Sequence, residues 1–273
     1  MQLKKLLNNM NRVLLNNSSL IKSGVLDTQY FVIDENVGSI NVPENSKTDI
    51  LFLTLPKEKD FVINVNKNSE STISFLAKTN VDGYKITINI YENSKVEGYL
   101  ADFTKGKETF NLVANLLERN AVMNWHLASL TAGSDKKSFD ISVNHNSPST
   151  FARMDNYGVC KDDGKLVFSG ISTIFNGSKG SKTHQNSKIM VFDKLSNGIA
   201  KPILKIDEND IEASHAAVVG KINDEHLFYL TSRGLSESAA KELITFGYLK
   251  PIMNGFIDEE IKQDISTLIE ERM

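Results

Sequence analysis

The chain has 273 residues, 40% of them apolar and 24% charged, with a net charge of −3. That composition belongs to an ordinary globular protein, either one large domain with an appendage or two modest ones. It gives no electrostatic case for nucleic acid or an anionic membrane, and no stretch approaches the roughly 20 apolar residues of a membrane span.

A single cysteine, Cys160, excludes an internal disulfide framework and fits a reducing compartment. The N-terminal MQLKKLLNNMNRVLLNN lacks the continuous apolar core and cleavage site of a signal peptide, so a cytoplasmic location is expected.

Residues 1–28 read as a helical lead-in, with a helical remnant over 2–15. Residues 29–233 then form a long series of short β-type segments broken by polar turns. The segments fall at 30–33, 49–55, 60–65, 72–76, 85–91, 96–100, 109–116 and 121–127. They continue at 138–143, 151–157, 165–175, 188–192, 203–206, 212–219 and 227–230. Many alternate, as in Ile86-Thr87-Ile88-Asn89-Ile90-Tyr91, which puts one face on a core and the other in water.

With no long helix between strands, a βαβ fold is excluded, and a sandwich, a barrel or a β-helix remains. The turns Glu44-Asn45-Ser46, Lys67-Asn68-Ser69 and Glu92-Asn93-Ser94 recur about two dozen residues apart. Such a repeat favours coils stacked corner on corner in a β-helix. It is imprecise, and on the residues alone a sandwich stays open.

Residues 234–273 form a helical segment. Ser236 is placed to cap a helix over 237–246 stopped by Gly247, and Asp258 to cap a second over 259–270. In the second helix Ile261, Ile265, Leu268 and Ile269 form one apolar stripe. Tyr248, Leu249, Pro251, Ile252, Met253, Phe256 and Ile257 lie between the helices. This apolar surface either docks onto the last coil or serves a partner.

His215 shares a strand face with Ala213 and Ala217, which leave room around the imidazole. It reads either as a metal ligand or proton carrier, or as a half-buried strand residue. Cys160 reads as a strand filler, since one thiolate cannot hold a cluster alone. His126 and His145 lie about one coil apart and could stack; surface or turn positions are the commoner outcome for such residues. His184 and His226 read as solvated, and the Gly/Ser/Lys run 176–182 as a flexible corner without Walker spacing. No Ser-His-Asp order, HExxH, GxSxG or dinucleotide fingerprint is present. A carboxylate pair of glycosidase type is not excluded by spacing, which keeps a β-helical polysaccharide-active enzyme as the alternative.

Several stretches in order carry a resemblance. Asn209-Asp210, Ser214-His215-Ala216-Ala217-Val218-Val219-Gly220, Asp224-Glu225, Leu227-Phe228-Tyr229-Leu230 and Ser232-Arg233-Gly234 make up the C-terminal pattern. Upstream stand His145-Asn146-Ser147-Pro148-Ser149-Thr150, Lys165-Leu166-Val167-Phe168-Ser169-Gly170-Ile171 and Lys201-Pro202-Ile203-Leu204-Lys205-Ile206.

These resemble the SufB/SufD family, the β-helical subunits of the bacterial SUF iron–sulfur assembly machine, from about residue 144 to the C-terminus. The resemblance implies a right-handed parallel β-helix and a SufD-like, non-catalytic role in cluster assembly. It implies pairing with a SufB-type chain or a second copy, and docking of a SufC-type ABC ATPase on the C-terminal helices. Contacts for the ATPase would come from Leu243, Phe246, Tyr248, Leu249 and Phe256. His215 matches the family's assembly-associated histidine at the paired interface, near the nascent cluster and sharing metal with the partner. No cofactor is implied for the isolated chain, and a transient Fe–S cluster is implied for the complex. Ala213 stands two residues before His215 and no cysteine lies nearby, which separates the chain from SufB-type members.

Overall fold

A computed structural model describes residues 39–52, 55 and 58–273, together with the backbone of two short strands at 12–14 and 29–33. The chain winds into a parallel β-helix. From the second of the described strands onward, successive strands alternate between two sheets, so sheet neighbours there are one coil apart in sequence.

One sheet has nine strands: β1 (Arg12–Leu14), β2 (Gln29–Ile33), β4 (Lys47–Phe52), β6 (Glu70–Ala77), β8 (Lys95–Asp102), β10 (Val122–Thr131), β12 (Phe151–Cys160), β14 (Ser181–Val191) and β16 (Ile211–Lys221). The other has seven: β3 (Ser39–Val42), β5 (Asp60–Val65), β7 (Tyr84–Ile90), β9 (Lys107–Leu116), β11 (Lys136–His145), β13 (Lys165–Ile174) and β15 (Asn197–Ile206). Within the expected helical remnant the described residues 12–14 are a strand paired with β2; the rest of that remnant lies outside the described residues.

The recurrent turns are the corners of the coils. Asn45, Asn68 and Asn93 all adopt φ of 54–55° and Asn120 60°, the left-handed region that Asn tolerates better than most residues. Asn68, Asn93 and Asn120 each donate through Nδ2 to Oδ1 of the Asn one coil earlier, at 3.1, 3.2 and 2.9 Å. The following serines stack as well: Ser94 Oγ accepts the Ser69 amide at 3.0 Å and donates to the Asn66 carbonyl at 2.6 Å. A second asparagine ladder, Asn41–Asn64–Asn89–Asn115–Asn144, runs up the outer face of the seven-stranded sheet at 2.8–2.9 Å per step. Both ladders fix the register coil by coil.

Alternate residues point inward and build a continuous apolar stack that includes Phe52, Phe75, Phe110, Phe139 and Phe168. Trp125 is fully buried over Gly98, where an added Cβ would come within 2.7 Å of the indole. Burying side chains of this size contributes roughly 1.5–3 kcal/mol each.

After β16 three helices follow: α1 (Asp224–Ser232), α2 (Glu237–Leu249) and α3 (Glu259–Glu270), with a 3₁₀ turn Lys250–Gly255 between the last two. The segment 227–230 is helical in α1, which corrects the strand expected there. The Asn223 side chain accepts from the amides of Glu225 and His226, and two acidic residues occupy the first turn. Leu227, Leu230 and Thr231 are the half-buried residues of that helix, whereas Phe228 and Tyr229 are exposed. Ser236 caps α2 as expected, but that helix runs through Gly247 to Leu249.

The C-terminal segment does not dock on the last coil. It folds back as a strap along the outer face of the nine-stranded sheet. Leu249, Ile252, Met253, Phe256, Ile261, Ile265 and Ile269 pack on Leu51, Leu76, Ala101, Ala128, Leu130 and Val159. Gly255 lies flat on the Tyr99 ring, where a Cβ would stand 2.1 Å from the ring carbons. Ion pairs Lys78–Asp264 and Arg272–Asp135 pin the strap at its edges.

Candidate functional site

β15 and β16 each form the free edge of a sheet, and none of their residues is buried. The stacking therefore stops at an open coil. Around it stand Ile199, Ile203, Ile206, Val218 and Val219, all at least 37% exposed, with Phe228 and Tyr229 of α1 beyond.

His215 is on β16, exposed, and in register with the inward-facing Gln185 of β14. The inward column beneath it reads Gln185, Met154, Trp125, Gly98 and Ile73. The last buried layer thus carries polar side chains alongside the apolar Leu166, Phe168 and Ile189. Gln185 Nε2 donates to Ser172 Oγ at 2.8 Å and to the Ile203 carbonyl at 3.1 Å. Thr183 Oγ1 donates to the same Ser172 hydroxyl at 2.8 Å, and Asn156 Nδ2 to Ser187 Oγ at 3.2 Å. An imidazole at the mouth of such a cup can bind a metal or carry a proton. Among the described residues no group of three or more His, Cys, Asp or Glu is placed to hold a metal ion.

The other candidates separate. His145 is enclosed, its Nδ1 2.8 Å from Thr150 Oγ1, and burial pushes its pKa down to about 4. His126 lies on the outer face, stacked on Tyr99 at 4.6 Å between Glu97 and Asp155. The two do not stack, because inward and outward positions alternate and these residues fall on opposite sides of their sheets. His184, expected in a loop, is on β14 with Nδ1 2.7 Å from Ser214 Oγ, and His226 is exposed in α1. Cys160 faces the interior, where burial pushes the thiol up to about 11. That environment disfavours the reactive thiolate.

The residues expected to meet an ATPase fall into two groups. Leu243 is 51% exposed, and with Phe246, Leu235, Ala239 and Ile269 it lines a groove of about 360 Å³ between α2 and α3. Leu249 and Phe256 are 1% exposed and hold the strap to the sheet instead of offering surface. Tyr248 is half-buried, edge-on to Tyr157 at 5.4 Å.

Sequence reasoning missed a charged cluster inside the stack. Lys137 Nζ is 2.7 Å from Asp102 Oδ2 and 3.6 Å from Glu108 Oε2, all three side chains fully buried. Burial and the neighbouring Asp102 charge push Glu108 up to about 7, whereas Asp102 is held below its usual range by Lys137, against its own burial. The available signal was Lys137 standing two residues before the inward-facing Phe139 of the same strand.

The fold and the open end define a parallel β-helix that presents a histidine on an uncapped final coil and carries a folded-back helical strap. Residues 38–248 match the core-domain model of the SufBD proteins of the SUF system for iron–sulfur cluster assembly, and the chain belongs to that family. It is 29% identical over 181 residues to the iron–sulfur cluster assembly protein SufD of Bacillus subtilis, covering 66% of this chain and 41% of that protein. It is 28% identical over 131 residues to SufD of Escherichia coli, covering 48% and 31%. A SufBD family protein of Staphylococcus saprophyticus is 33% identical over 107 residues, covering 39% and 23%. The chain thus spans less than half the length of these curated relatives.

Proposed function

We propose that this chain is a SufD-like, non-catalytic component of an iron–sulfur cluster assembly complex. The observation that carries the reading is the open final coil: within the region that matches the family core, the stack ends uncapped with His215 at its mouth. An apolar sheet end with free edges is a surface for another coil. A SufB-type chain, or a second copy, would cover it and bring its own ligands to the nascent cluster, which is cargo of the complex and not a resident cofactor.

The α2–α3 groove would seat a SufC-type ABC ATPase through Leu243 and Phe246. Co-expression with such an ATPase, followed by size-exclusion chromatography with light scattering, tests this: a stable complex is expected, and its mass separates homodimer from heterodimer. A chain that elutes alone would overturn the partner assignment. Substituting His215→Ala should leave the fold intact and lower cluster yield in the reconstituted complex; an unchanged yield would remove His215 from the assembly step.

A further inference from the structure

The layer beneath His215 contains a buried acceptor without a partner. Gln185 is 4% exposed, and its Nε2 is committed to Ser172 Oγ and the Ile203 carbonyl. A carbonyl can only accept, so that contact fixes which end of the amide is nitrogen. Oε1 is left enclosed with no donor. It projects across the interior toward Gly170, whose missing side chain gives it room, since a Cβ there would stand 3.1 Å away. Leaving a buried acceptor unpaired is costly, and such groups call for an explanation. The next inward-facing position on β16 is His215, in register with Gln185 and about 4.8 Å further along the stack, within side-chain reach.

We infer that Gln185 is a positioning residue for His215. Its amide oxygen accepts the N–H of one imidazole nitrogen, which fixes the tautomer and turns the other nitrogen, with its lone pair, out of the open coil toward the metal-bearing cargo. Metal-binding histidines ordinarily have their second nitrogen held in this way by a carboxylate or carbonyl oxygen. The inference rests on the reading of His215 as the metal-facing residue, and its geometric part can be tested apart from that reading.

The experiment is long-range ¹H–¹⁵N correlation NMR on the full chain labelled with ¹⁵N-histidine, at alkaline pH, with the His215 signals assigned from His215→Ala. In the wild-type chain the ratio of the two neutral tautomers should depart about fivefold from that of a free histidine side chain, which itself favours Nε2–H, fivefold being the factor that one net hydrogen bond gives. Gln185→Met keeps the shape without the acceptor and should return the ratio to the free-histidine value; Gln185→Glu keeps an acceptor and should restore the departure. A free-histidine ratio in the wild-type chain overturns the proposal without recourse to any variant, and so does an unchanged ratio in Gln185→Met. Cluster yield of His215→Ala bears on the assembly role alone, so the two failures are distinguishable.

Discussion

Inside the β-helix the charged cluster and the enclosed histidine respond to pH in opposite directions. Glu108 keeps its proton up to about pH 7 in the folded chain, against 4.5 for an ordinary glutamate carboxyl. Between those values the native state binds the extra proton, so stability falls as pH rises. His145 is the reverse: its folded value of about 4 lies below 6.5, so over that range the unfolded chain takes up the proton and stability rises with pH. The two contributions oppose each other between about pH 4.5 and 6.5, each on the order of 3 kcal/mol. Urea titrations at several pH values should show Glu108→Gln gaining stability with rising pH through that window, and His145→Gln losing it up to about pH 7. Parallel pH profiles for the two variants would refute the assignment. Lys137→Met should cost about 3–5 kcal/mol, because Asp102 is then buried without its counter-charge. Adding Asp102→Asn and Glu108→Gln should recover most of that loss.

The corners and the strap differ in how visibly the sequence encodes them. Each Glu/Lys-Asn-Ser corner is written into its own three residues, because the left-handed position and the serine hydroxyl are local demands. Asn93→Ala should therefore destabilise by about 2 kcal/mol in thermal melts, with Asn93→Gly milder since it removes only the ladder bond. The strap was hidden for the opposite reason. Leu51, Leu76 and Ala101 occupy the outer face and merge with inward neighbours into unbroken apolar runs such as Phe75-Leu76-Ala77, so alternation is lost where a helix covers the sheet. In α1 the aromatic run looked like a strand, and only the Asn223 cap marked it as a helix. That Gln185 lies in register with His215 was not legible, since register across a coil of about 30 residues is a tertiary fact. Removing the strap would expose the apolar outer face, so a point change is the cleaner probe of partner docking. Leu243→Glu should abolish ATPase binding in a pull-down while leaving the melting temperature within a few degrees; retained binding would place the ATPase elsewhere.

At the scale of the whole molecule, a stack whose coils touch mainly their neighbours has stability that is nearly a sum over adjacent pairs, with its ends weakest. The C-terminal end has one neighbour missing and free strand edges on both sheets. Val218→Asp, at a position already 54% exposed, should leave the isolated chain's unfolding unchanged and prevent pairing with a second β-helix in light scattering. Association that survives this change would exclude that edge as the contact.

The strap runs across the coils, touching strands from β4 to β14 but leaving the last coil free. It behaves as a splint: the coils it spans must open together, whereas β15 and β16 can fray alone. Hydrogen exchange should accordingly show a step in protection between β14 and β16. A load applied at α2 would reach the splinted coils as one rigid bar, and all relative motion would be concentrated in the unsplinted coil that carries the histidine.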